Sequence, residues 1–422
     1  MMDISNYQAK RIRVFEHQTL RLGAVIDGVI FSKNHLRALA KFNEQHQGKF
    51  FQILHRAVKF KHYVGAIQIG HLTIEILPKV DRLQTQNFDF LQGVLLDMLR
   101  YCKLIKIESL SDANLSLKKN SILKLYFEVF LKALESLLRK GLIKKYRQKT
   151  ANVKSLKGRL IFAPHLEKNY LRKDRFFTAH SVYDGNHLIN QILFAALDIL
   201  SKILVSPSLL ERVRKLRSYF PEMDKLRINA AHFDRIKWDR STVDYRNAIE
   251  LARLITLNYS PDIRMGKHHL LAILFDMNLV FEEYVYRQLA SLTNLSDGQL
   301  RVSRQVRSAF WQRRKIQADL LVAYQGEHYI LDTKWKILKS GGPQIDDLKQ
   351  IFIYNQYFQA RHGMLIYPKT GEWEDQLPQA FATKREDNQL FYCQLKFVDL
   401  LKNGKLNLDL GADILKSLVA SS

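Results

Sequence analysis

ADLLVAYQGEHYILDTKWK, residues 318–336, consists of two apolar runs around Gln325-Gly326, and each run carries an aspartate. A two-residue loop with glycine second is a hairpin signal. If the chain turns there, Asp319 faces Asp332 and Gln317 faces Lys334. Strand alternation then sets Asp319, Asp332 and Lys334 on one face, with Leu331, Thr333 and Trp335 on the other. Aspartate is a poor strand former, and a buried carboxylate is costly without a partner. Opposed carboxylates also repel across a Cβ separation of about 4.5–5.5 Å. The hairpin therefore asks for a counter-charge.

A hard divalent cation can supply it. Mg²⁺ takes oxygen ligands, often from one or two carboxylates, and keeps waters for a phosphate substrate. A lysine beside the pair can orient an attacking water or offset charge on the transition state. The same letters also fit two strand-end aspartates on a solvated face, with Lys334 as their ion-pair partner. Working outward, FDMNLVFEEYVYRQLAS (275–291) reads as helix. Its stripe Phe275, Leu279, Glu282, Tyr286, Leu289 turns Glu282 toward the core and leaves Glu283 on the polar face. Glu282 is then either a third acidic group or a side chain snorkelling from the stripe's edge. In DDLKQIFIYNQYF (346–358), Asp347, Gln350 and Tyr354 share one helical face and can line the same cleft.

A chain of 422 residues has room for two or three domains. The first 80 residues favour short strands: RIRVFEHQTL alternates, and HYVGAIQIGHLTIEILPKV reads as a hairpin with Gly70 near its turn and Pro78 at its end. Residues 88–106 and 122–140 are helical, the second stretch stopping at Gly141. NHLINQILFAALDILSKIL is another helix, and NYSPDIRMGKHH (258–269) is the best boundary. Beyond it come a helix (270–292), a basic strand (301–310), the hairpin, a helix (344–360) and the strand GMLIYP. That order predicts an α/β domain with a mixed sheet. The expected fold class is multidomain, α/β with α+β. It comprises a β-rich region at 1–120, a mainly helical region at 121–262, and an α/β core at 263–422.

The net charge is +25 with a pI of about 9.8, which suits a polyanion such as nucleic acid, or simply a basic solubilising surface. Residues 139–159 hold nine Lys/Arg and no acid, on a surface that either meets phosphates or is solvated. The only cysteines, Cys102 and Cys393, form no CxxC, which excludes a cysteine-rich zinc site and a disulfide framework. With no secretory signal and no apolar stretch near the roughly 18 residues of a membrane span, a soluble cytoplasmic protein is expected. The chain contains no G-x-x-x-x-G-K-[ST] loop, so it is no NTPase of that type.

An acidic helix residue, then D…(D/E)xK on a hairpin, then QxxxY on the next helix, resembles the PD-(D/E)xK nucleases. With RVFEHQTL, GAIQIGHLTIEILPKV, LKGRL, DGNHLINQIL and LFDMNLVFEEYV, the chain is similar over most of its length to the nuclease subunits of the McrBC modification-dependent (5-methylcytosine) restriction systems. The resemblance implies a restriction-endonuclease-like core that cuts DNA in a type IV system. It implies Asp319 and Asp332 as metal ligands, Lys334 as catalytic lysine, Glu282 as a catalytic acid, and Gln350 and Tyr354 as supporting residues. The proline of the family label is replaced by Ala318. The implied cofactor is Mg²⁺, with Mn²⁺ as a substitute. The implied partners are an McrB-like AAA+ GTPase hexamer, docked through the N-terminal part, and double-stranded DNA carrying modified cytosine. The other reading is a non-catalytic basic adaptor of an AAA+ motor with a decayed nuclease fold, against which the intact Asp319, Asp332 and Lys334 speak.

Overall fold

The computed structural model describes residues 10–79, 88–105, 121–261, 269–293, 298–338, 342–369, 373–382 and 390–419. Strands and helices mix throughout, as a multidomain α/β and α+β chain should. Two compact units are present, each gathered from separated stretches. One takes the described residues of Met1–Lys10, Ile67–Thr73 and Leu123–Ile273; the other takes those of Arg11–Ala66, Ile74–Ile122 and Leu274–Ser422. No described helix is long and apolar enough to cross a membrane.

In the first unit the helices Leu188–Ile203 and Arg246–Leu257 pack together through fully buried residues such as Leu193, Leu197, Ala252 and Ile255. Tyr126, on the helix Ile122–Arg139, donates to the Leu251 carbonyl at 2.9 Å. Gly141 follows that helix with φ +84°, a left-handed stop that glycine adopts at little cost. The basic run folds as the strand Lys145–Val153, antiparallel to Phe176–Asp184, whose other edge carries Arg159–Leu160. Helical periodicity gave no sign of this sheet. In Lys145–Val153 and Phe176–Asp184 only Thr178 is fully buried, so they lack the buried alternate positions that mark a strand in sequence.

In the second unit Arg11–Phe15 and Ile74–Leu77 are strand segments of one sheet. The main sheet has six strands, in the order Leu300–Trp311, Arg314–Tyr324, Glu327–Thr333, His362–Pro368, Tyr392–Val398, Gln379–Ala380. The first three are antiparallel, and Glu327–Thr333, His362–Pro368 and Tyr392–Val398 are mutually parallel. A parallel connection needs a crossover, and the helix Ile345–Tyr357 provides it. That helix lies so close to the sheet that a Cβ on Gly363 would overlap Ile351 Cγ2 and stand 3.0 Å from Asn355 Oδ1. Glycine in the strand is what lets the helix approach.

One expected element is corrected. Residues 270–276 are a strand, Leu270–Asp276, and the helix runs Met277–Leu292, started by Asp276 accepting from Asn278 N. A short apolar run such as LLAILF fits a buried strand as well as a helix. The helix's buried face is Met277, Val280, Phe281, Tyr284, Val285, Gln288 and Leu289, while Leu279 is 57% exposed. The stripe drawn through Phe275 and Leu279 is therefore not the core-facing one.

Candidate active site

The hairpin register is the expected one. Leu320 pairs with Leu331 and Tyr324 with Glu327, leaving Gln325 and Gly326 as the loop at φ +51° and +86°. Two positive φ values in a two-residue loop are the type I′ geometry, whose twist matches the strands it joins. Carried one step past Leu320 and Leu331, this register sets Asp319 opposite Asp332.

At that step the sheet loosens. Ladder pairing of the first two strands runs through Arg304–Leu320 and resumes at Val306–Ala318, lapsing where Gln305 faces Asp319. Gln305 has φ +49°, a left-handed conformation that is uncommon within a strand for any residue but glycine. On its other side Asp319 uses its carboxylate instead of its backbone. Oδ2 accepts from Thr333 N at 2.9 Å and from Thr333 Oγ1 at 3.2 Å. Thr333 was placed on the far face by alternation, yet its hydroxyl reaches the same carboxylate.

Asp332 is fully buried. Its Oδ2 lies 2.7 Å from Lys334 Nζ, and its Oδ1 has no hydrogen-bond partner among the described residues. Lys334 N donates to Ile366 O at 2.8 Å, so the lysine's backbone is anchored to the neighbouring parallel strand. Its ammonium also donates to Gln350 Oε1 at 2.9 Å. Gln350 Nε2 donates to Tyr354 Oη at 2.7 Å, and that hydroxyl donates to the Gln317 carbonyl at 2.6 Å. The polar ladder read on the helix thus meets the hairpin. Asp347, also on that face, lies 3.9 Å from Lys334 Nζ and 2.5 Å from Lys336 Nζ.

Glu282 comes to the same place. Gln305 Nε2 donates to its Oε1 at 3.2 Å, and its carboxyl is pushed up to about 7, first by burial and then by the charge of Asp319. Glu283 points elsewhere, paired with Arg287 and Arg304. Burial, then the charge of Asp319, raises Asp332 to about 7; burial also raises Asp319 against the pull of Thr333 and Lys334. For Lys334, burial alone would lower the ammonium, but Asp332, Asp319 and Asp347 reverse that and hold it above its usual value.

Glu282, Asp319, Asp332 and Asp347 gather around Lys334, with Lys336 paired to Asp347 at the side. An orphaned, buried Oδ1 and carboxylates raised first by burial, with the charge of Asp319 adding to it at Asp332, are what a hard dication relieves, so the donor set fits Mg²⁺. Among the described residues no three His, Cys, Asp or Glu side chains are grouped to hold a metal ion. Two carboxylates, Asp319 and Asp332, are the donors such an ion would take here. An open polar hollow lined by Lys369, Asp375, Lys396 and Asp413 includes none of these residues. Gln305 and Thr333 had no sequence signal, because their roles depend on a lapse in strand pairing that local pattern does not encode.

The family described as McrBC 5-methylcytosine restriction system component matches residues 58–368. Over 185 residues the chain is 23% identical to the type IV methyl-directed restriction enzyme EcoKMcrBC of Escherichia coli (strain K12). That stretch covers 43% of this chain and 53% of the relative, about half its length. The fold is similar, with a TM-score of 0.64 at 19% identity, to a chain in the Thermococcus gammatolerans assembly of McrB AAA+ hexamers with bound McrC. The match covers 97% of this chain and 100% of that one.

Proposed function

Because the chain belongs to the McrBC 5-methylcytosine restriction system component family, we propose that it is the McrC-like DNA-cutting subunit of such a system, a metal-dependent endonuclease with a PD-(D/E)xK core. The observation that carries this reading is the Asp332–Lys334–Gln350 arrangement beside Asp319, where a buried acid and a held ammonium meet at the end of a parallel strand. Open α/β sheets present their chemistry at that end.

Asp319 and Asp332 would hold Mg²⁺, or Mn²⁺ in its place, which polarises a phosphate oxygen and lowers the pKa of a bound water. In the hydrolysis a water oxygen bonds to phosphorus, the bond from phosphorus to the leaving sugar oxygen breaks, the attacking water's proton is taken up, and the leaving oxygen takes a proton from solvent water to depart as a hydroxyl. Lys334 is kept cationic, so it serves by charge and hydrogen bonding to a phosphate oxygen and not as a base. Glu282, at about 7, is matched to accept that proton near neutral pH. Gln350 and Tyr354 fix where the ammonium points.

The likeness to the Thermococcus assembly supports a ring partner. In this reading the chain docks on an McrB-like AAA+ hexamer, stimulates its GTP hydrolysis, and receives double-stranded DNA carrying modified cytosine. The test is Lys334→Ala and Asp332→Asn, each purified with the partner. DNA cleavage is expected to fall by about 10²-fold or more, with GTP turnover retained. Cleavage at the parental rate by either variant would sink the site assignment.

A further inference from the structure

Three stretches singled out in the sequence converge on one buried carboxylate. Glu16, in RVFEHQTL, is 2% exposed and follows the strand Lys10–Phe15. Its Oε1 accepts from Lys79 N at 2.9 Å, at the end of ILPKV, and from Trp335 Nε1 at 2.8 Å, in DTKWK. Its own backbone N donates to Leu77 O at 2.9 Å, so the carboxylate is seated on the strand Leu72–Leu77. Trp335 is 5% exposed and stands edge-on to Phe281, with ring centroids 5.4 Å apart.

The chemistry does not use Glu16, and its burial is expensive, since loss of solvent raises the carboxyl pKa against the pull of Lys79 N and Trp335. What the bond does is fix an indole in place. Trp335 adjoins Lys334, and the residue it meets edge-on, Phe281, adjoins Glu282. Sliding or turning the indole would move the segment that presents the ammonium and press on the helix that presents the acid.

We propose that Glu16 is a positioning residue for the active site, acting through Trp335 to hold Lys334 and Glu282 in register. This rests on the nuclease reading of the site. It gives the strand-rich N-terminal segment of this unit a part in cutting besides any part in docking.

The full-length chain, assembled with its GTPase partner, tests the proposal on modified DNA. Glu16→Ala and Trp335→Phe should each lower kcat for cleavage by about ten- to a hundredfold, the scale of a sub-ångström misplacement. The KM for DNA and the partner's GTP turnover should change by less than about twofold, as for loss of positioning alone. The double variant should cut no more slowly than the worse single, since both remove one bond. Glu16→Gln, whose amide carbonyl can accept the same two N–H groups, should stay within about threefold of the parent. If Glu16→Ala does not fold, Trp335→Phe, which keeps a ring against Phe281, carries the measurement. Parental kcat in Trp335→Phe, or losses that multiply in the double variant, would overturn the proposal. Lys334→Ala separates the two ideas: if it cuts normally the site reading fails, and if it is dead while Trp335→Phe is unimpaired only this inference fails.

Discussion

Lys334 Nζ donates to Gln350 Oε1 at 2.9 Å, which ties the tip of a strand to the helix that crosses over to the next one. The ammonium is thereby held from two sides, since Asp332 Oδ2 stands 2.7 Å away. Tyr354 closes the chain by receiving Gln350 Nε2 and giving its own proton to Gln317 O.

Tyr354→Phe should therefore loosen the lysine without touching it. It removes two part-buried hydrogen bonds, each contributing about 1 kcal/mol. We expect a lower melting temperature and cleavage slowed by about tenfold, as for partial loss of a positioned charge. Unfolding curves and single-turnover cleavage check both. Unchanged cleavage would show that the Gln350–Tyr354 link does not position Lys334.

Gly363 is expected to tolerate no side chain. In Gly363→Ala the new Cβ meets Ile351 Cγ2, and overpacking of this kind costs about 1–3 kcal/mol. Ile351→Ala removes the obstacle, so the double variant should be less destabilised than the two singles added together. Simple additivity in denaturant titrations would contradict the close approach of helix and strand.

The acidic groups set a pH dependence whose sign can be worked out. Asp332 is raised to about 7 and Glu282 to about 7, so the native state holds protons that the unfolded chain releases at lower pH. Their contribution to stability is complete below about pH 4, where unfolded carboxylates are protonated. It is lost as pH rises toward 7. Metal-free protein should thus lose melting temperature across that window. Mg²⁺ should raise it more at pH 8 than at pH 5.5, because protons compete for the same oxygens. Asp332→Asn should flatten the profile and abolish the Mg²⁺ effect. A Mg²⁺ shift that is equal at both pH values would place the ion elsewhere.

The charge of +25 predicts weak DNA binding by the chain alone, insensitive to sequence and steep in salt. Log K should fall with log salt at about −0.9 per phosphate contact. Fluorescence anisotropy with unmodified and modified duplexes would show it. A slope near zero removes the case for a DNA-facing basic surface.

The hairpin was legible because a Gln-Gly loop leaves one register, and one register dictates every facing pair. The face shared by Asp347, Gln350 and Tyr354 was legible for the same reason, helix period being as strict as strand alternation. Glu282 was chosen from the wrong stripe. Counting began at Phe275, which belongs to a strand, and the true buried face runs through Phe281 and Tyr284. Its place beside Asp319 follows from how helix and sheet pack, which no window of sequence contains. The strand Lys145–Val153 was hidden by its charge, and the left-handed Gln305 by its ordinary identity.

The bond between Glu16 and Trp335 spans 319 positions of chain. A ribosome adding about 5–20 residues per second takes on the order of tens of seconds to bring the second partner out after the first. Throughout that interval the early strand waits with a carboxylate whose indole does not yet exist. Loop closure over such a distance is among the last events of folding, because its entropy is recovered only when the late contacts form. Synthesis therefore orders assembly. The scaffold of the early strands is available first, and the segment carrying Lys334 and Trp335 locks in near the end, so a chain halted midway lacks both the indole and the proposed site.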